Sequence, residues 1–66
     1  MRILLNGEAH ELPSPVTIRT LLDSVGIDAR KVAVERNLTV VRRAHYETEI
    51  VNDGDEVEVV NFVGGG

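Results

Sequence analysis

No cysteine occurs among the 66 residues, and in so short a chain that absence narrows the available folds more than any other feature. Disulfides, thiolate metal sites and a cysteine nucleophile are all excluded. The two histidines, His10 and His45, are too few for a His-rich metal centre. A single domain of this size hides only about 60% of the surface its unfolded chain exposes. Nearly every aliphatic side chain is then needed in the core, and little remains to enclose an active-site pocket. That weighs against an autonomous enzyme, and no catalytic residue or bound metal is expected. His10 and His45 fall on separate segments and read as ordinary surface or hairpin residues.

Charge narrows the partners. Eleven acidic residues against seven basic ones leave a net charge of −4, whereas a nucleic-acid binder needs a basic face to meet phosphates. No apolar run approaches the roughly 20 residues that span a bilayer. The opening MRILLNGEAHEL turns polar too early for a signal peptide. The expectation is a cytoplasmic protein without nucleic-acid or membrane partners.

The pattern begins with a hairpin. Arg2 to Leu5 is apolar and extended, Asn6-Gly7 supplies the two positive-φ positions of a type I′ turn, and Glu8 to Leu12 returns. This turn sets Leu5 opposite Glu8, Ile3 opposite His10 and Arg2 opposite Glu11. Pro13 and Pro15 end the sheet. Thr17 then reads as a helix N-cap, with Val16 and Leu21 spaced as a hydrophobic staple. Ile18, Leu21, Leu22 and Val25 form one apolar stripe. Gly26 supplies the left-handed stop, and Ile27 can fold back in a Schellman motif. The helix is predicted at about nine residues, too short to stand without packing.

Asp28 to Lys31 is a charged connection. Val32 to Glu35 and Thr39 to Arg42 read as strands, and the type of the intervening Arg36-Asn37-Leu38 turn is left open. Ala44 to Thr48 has no clean period, and Ile50 and Val51 are expected in the core. Asp53-Gly54-Asp55 is a turn. Glu56-Val57-Glu58-Val59 alternates as a half-buried strand with its valines inward, and Val60 to Val63 continue it. Asp53, Asp55, Glu56 and Glu58 read as a solvated turn and outer face rather than a Ca²⁺ site. Arg42 and Arg43 read as exposed edge charge. One helix can cover one face of a four- or five-stranded mixed sheet. The predicted class is therefore α+β, in the β-grasp arrangement of ubiquitin. Residues 1–63 form that domain, and 64–66 form a flexible glycine tail.

The last three residues, Gly64, Gly65 and Gly66, are a chance outcome of about one in 3,000 at average glycine usage. Such a segment is thin and adopts backbone angles closed to other residues. It can thread a narrow channel and present the Gly66 carboxylate to a nucleotide bound elsewhere. Phe62, Val60 and Leu4 are the candidate apolar contacts beside it. Phe62 folded over the sheet edge as core is the competing reading.

Taken together, ILLNGE, VTIRTLL, VAVERN, Val40-Val41-Arg42-Arg43, Asp53-Gly54-Asp55-x-Val57 and the closing VGGG resemble the ThiS sulfur carriers of thiamine biosynthesis, within the wider ThiS and MoaD superfamily. The resemblance runs along essentially the whole chain. It departs at Asn37-Leu38, where many members carry Asn-Gly. It implies that a ThiF-type adenylyltransferase uses ATP and Mg²⁺ to turn the Gly66 carboxylate into an acyl-adenylate. A cysteine desulfurase or other donor then supplies sulfur to form a thiocarboxylate, and thiazole synthase takes that sulfur into the thiazole ring. No cofactor is expected on the chain itself. The alternatives are a sulfur carrier for molybdopterin or tRNA thiolation and, in another class, a non-catalytic ubiquitin-like interaction module.

Overall fold

A computed structural model describes residues 1–61. Strand β1 (Arg2–Leu5) and strand β2 (Glu8–Glu11) pair antiparallel with Arg2 opposite Glu11, Ile3 opposite His10 and Leu5 opposite Glu8. The turn between them has φ of 51° at Asn6 and 82° at Gly7, the two left-handed positions expected of Asn-Gly. Arg2 Nε donates to Glu11 Oε1 at 3.0 Å in full solvent.

A two-residue strand β3 (Val16–Thr17), which the sequence pattern did not signal, leads into helix α1 (Ile18–Ser24). The Thr17 hydroxyl accepts from the Thr20 N–H at 3.0 Å and caps the helix as predicted. At the other end Gly26 has φ of 76°. The Gly26 N–H donates to the Asp23 carbonyl at 3.1 Å and the Ile27 N–H to the Leu22 carbonyl at 2.9 Å, the paired bonds of a Schellman motif. The helix has seven residues, shorter than predicted, because this motif closes it at Val25.

The segment 28–31 is not a plain connection. Asp28 caps a 3₁₀ turn over Ala29–Lys31, and Ala29 is buried. Strands β4 (Val32–Arg36) and β5 (Thr39–Val41) then form a second hairpin. A 3₁₀ turn over Arg43–His45 follows, then strand β6 (Ile50–Val51) and strand β7 (Glu56–Asn61). The main sheet has the order β2-β1-β7-β4-β5, with β1 and β7 parallel at its centre. β3 and β6 form a separate antiparallel pair. This is the α+β, mixed five-stranded architecture the element order predicted.

The helix places Ile18, Leu21 and Leu22 on the inner face of the sheet against Ile3, Val32, Val34, Val41 and Val57, all at most 4% exposed. Tyr46 was not foreseen in the core. It belongs to the segment without a clean period, is buried, and its hydroxyl donates to the Val32 carbonyl at 3.3 Å. Of the two isolated aliphatics, Val51 is buried as expected but Ile50 is 42% exposed. The two alternate across a two-residue strand, so they cannot both face inward.

Candidate functional site

The inward alternation that fills the core sends the other half of each strand to the uncovered face of the sheet. In register across that face, Leu4 on β1 stands beside Glu56 on β7. The next row sets Glu58 beside Glu35 on β4 and Val40 on β5. The row after it sets Val60 beside Ala33. Leu4 is 39% exposed, Val40 67% and Val60 61%.

Leu4 and Val60 therefore share the outer face, but they do not form one apolar patch. The rows they occupy, at Glu56 and Val60, lie four positions apart along β7, roughly 13 Å at the rise of a strand, with the row of Glu58 between. Leu4 borders a shallow hollow with Arg2, Asp53 and Gly54. Val60 borders a groove of about 280 Å³ with Ala33, Leu38 and Val40, flanked by Glu35 and Glu58. The groove is at the lower limit of small-molecule sites, about 300–1,000 Å³, and suits a side chain of a partner better than a cofactor.

β7, the central strand of the sheet, ends with Val60 and Asn61 exposed, and the chain continues from there toward the glycines. Phe62, Gly64, Gly65 and Gly66 lie outside the described residues, as does Val63.

The β4–β5 turn departs from the usual chemistry. Asn37 and Leu38 have φ of 52° and 69°, so this is a type I′ turn like that at Asn6-Gly7, with leucine where glycine would relieve the strain. Side chains from the neighbouring loop hold it. The Asn37 amide donates to Asp55 Oδ1 at 3.0 Å, and its carbonyl oxygen accepts from the Glu56 N–H at 2.9 Å. Asn6 acts alike at the other turn, where its Oδ1 accepts from the Val59 N–H at 2.7 Å.

Asp55 corrects the reading of a solvated acidic cluster. It is 8% exposed. Its Oδ2 accepts from Arg36 Nε and from the Asn52 N–H, both at 2.7 Å. Burial alone would push its pKa up. The bonds from the Asn52 N–H, Arg36 and Asn37 outweigh that and hold the carboxyl below its ordinary value. The same bond to Asp55 raises the Arg36 guanidinium. Asp55 is thus a structural clasp, whereas Glu56 and Glu58 are exposed as predicted and Asp53 is exposed while its Oδ1 accepts from the Arg2 N–H at 2.8 Å.

The histidines are not brought together. His10 is half-buried on β2, and His45 is exposed on the second 3₁₀ turn. Among the described residues no group of three or more His, Cys, Asp or Glu side chains could hold a metal ion, and no helix is long and apolar enough to cross a membrane.

Comparison with known proteins agrees with this architecture. The sequence pattern of the ThiS family matches residues 3–66. The chain is 47% identical over 66 residues to a thiazole synthase of Paramagnetospirillum magneticum, matching all of this chain but 20% of that protein. It thus spans about a fifth of such relatives. It is 40% identical over 50 residues to the sulfur carrier protein ThiS of Bacillus subtilis, covering 76% of each chain. The crystal structure of a thiamine biosynthesis protein (ThiS) from Geobacter metallireducens superposes with a TM-score of 0.87 at 32% identity, over the whole of both chains. The chain belongs to the ThiS family of ubiquitin-like sulfur carriers.

Proposed function

We propose that this chain carries sulfur for the thiazole ring of thiamine, as a protein substrate rather than an enzyme. The observation that carries the reading is the family match over residues 3–66, glycines included. The fold supports it: the core closes within the described residues, and the strand that leads to the glycines ends exposed.

In this reading a ThiF-type adenylyltransferase, using ATP and Mg²⁺, joins the Gly66 carboxylate to AMP with release of pyrophosphate. At neutral pH an α-carboxyl is ionised, so its oxygen is the nucleophile toward the α-phosphate. The persulfide sulfur carried by a cysteine desulfurase or an equivalent donor attacks the acyl carbon and displaces AMP. A thiol then cleaves the resulting S–S bond, supplying two electrons as it becomes a disulfide and leaving the thiocarboxylate on Gly66. Thiazole synthase receives the sulfur. That partner is favoured over molybdopterin or tRNA thiolation enzymes because proteins named thiazole synthase contain a segment 46–47% identical to this whole chain. Val60 and Leu4, with Phe62, are the proposed docking contacts. The setting is the cytoplasm.

Incubation with the activating enzyme, ATP, Mg²⁺ and a sulfur donor is expected to raise the intact mass by about 16 Da, one oxygen replaced by sulfur on a terminal α-carboxyl, with the gain located at Gly66 by fragmentation. An unchanged mass with partners that are active on another carrier would refute the reading.

A further inference from the structure

Two features of the outer face work against the stability of the free protein. Leu38 is 87% exposed at φ of 69°, a left-handed conformation that is strained for a residue carrying a Cβ. The turn cannot relax, because Asp55 and the Glu56 N–H fix Asn37 beside it. Strain of this kind persists where the surroundings over-determine it, and it concentrates at binding sites. The second feature is charge. Glu35 stands directly opposite Glu58, with Glu56 next along the same side of β7. None of the three makes an ion pair among the described residues, and like charges opposite each other across strands repel.

One kind of surface relieves the repulsion and uses the strained leucine. It is an apolar side chain that enters the groove between Leu38, Val40 and Val60, with an arginine or lysine beside it to meet Glu35 and Glu58. We propose that Leu38 and the Glu35–Glu58 pair are the specificity-determining contacts of this chain for the enzyme that accepts its sulfur, thiazole synthase. The proposal rests on the function proposed above. It commits to the acceptor because the protein kind that shares this chain's sequence within its own polypeptide is the thiazole synthase. The groove and carboxylates form one continuous face reaching Val60, four residues before the glycines that would enter the acceptor. An apolar centre rimmed by charge is the usual anatomy of such a contact.

The test compares the wild type with Leu38→Gly, Leu38→Asn and the double variant Glu35→Gln/Glu58→Gln. Binding is measured by titration calorimetry against thiazole synthase from the same genome and, separately, against the activating enzyme. Glycine and asparagine both tolerate the left-handed turn, so both variants fold. Leu38→Gly is expected to raise the melting temperature by about 4–8 °C. Both Leu38 variants are expected to weaken binding to the synthase about tenfold, as for loss of a moderate contact, and to keep the 16 Da gain at the wild-type rate. The double variant is expected to weaken synthase binding at low salt, with the deficit shrinking at high salt.

Wild-type affinity for the synthase in the Leu38 variants overturns the proposal. So does a loss confined to the activating enzyme, or a self-association of the chain that the Leu38 variants abolish. A wild-type chain that gains no mass refutes the carrier function itself, whereas a wild-type gain with unaltered synthase binding by the variants refutes only the role of Leu38.

Discussion

At the scale of single residues, Asp28 and Asp55 show how alike two carboxylates look in sequence and how differently they act. Asp28 is brought to a pKa of about 2 by the side-chain and backbone bonds from Arg30, but both partners stand in solvent, where such pairs add little. Asp55 is buried and joins three segments: Arg36 at the end of β4 with Asn37 after it, Asn52 after β6, and its own turn before β7. Asp55→Asn is expected to destabilise by about 2 kcal/mol at neutral pH, since it leaves buried donors without a charged acceptor. The pH dependence follows from the lowered pKa. The folded state favours the ionised form, so the contribution of Asp55 is whole above the unfolded carboxylate value near 3.9 and is lost as pH falls through the lower folded value. Melting curves should show a constant gap between wild type and Asp55→Asn from about pH 7 to pH 5 that narrows below about pH 4. A gap independent of acid would mean that Asp55 acts by shape alone. The sequence could not single out Asp55, because an Asp-Gly-Asp turn declares polarity and not which carboxylate turns inward.

At the scale of elements, legibility followed how local the cause is. The Asn6-Gly7 turn fixes the register of its own hairpin, and Thr17 and Gly26 fix the ends of α1, so these could be read from a few adjacent residues. β3 and β6 could not, since each has two residues and exists only through the other across 33 positions of chain. Tyr46 likewise meets its partner far along the chain, its hydroxyl donating to the Val32 carbonyl on β4. The Asn37-Leu38 turn is the sharpest case. Local chemistry left it open, and Asp55 and Glu56 decide it from outside. Gly26 gives a clean test of a local cause. A Cβ built there meets nothing within 4 Å, so Gly26→Ala changes only the cost of φ at 76°. The expected loss is about 1 kcal/mol, a fall in melting temperature of about 4–8 °C. Circular dichroism melts should show it without loss of helical signal below the transition. A neutral result would mean that the Schellman motif does not limit the helix.

At the scale of the whole molecule, the fold separates what holds it together from what is proposed to react. The buried cluster runs from Ile3 to Val57 and takes in the inner faces of β1, β4, β5 and β7 together with α1. Val59 is the last described residue packed against it, while Val60 and Asn61 are exposed. Fold class was legible because this division is written as alternation and helical spacing along most of the chain, whereas the family was legible only through the resemblance of motifs such as ILLNGE, VAVERN and the closing VGGG. The outer face proposed for docking was only half legible: alternation put Leu4 and Val60 on it, but register across β7, β4 and β5 was needed to bring Val60 to Leu38, Val40 and the Glu35–Glu58 pair. The same division predicts how a truncation behaves. Removing Gly65 and Gly66 takes away no member of the buried cluster, so the melting temperature is expected to stay within about 1 °C of the full chain, as for chain ends outside a core. The mass gain with activating enzyme, ATP and sulfur donor is expected to vanish, because the shortened chain presents its carboxyl two residues, at most about 7 Å, short of the nucleotide. A truncated chain that melts much earlier would show the glycines to be part of the fold, and one that still gains about 16 Da would show that reach is not what the glycines supply.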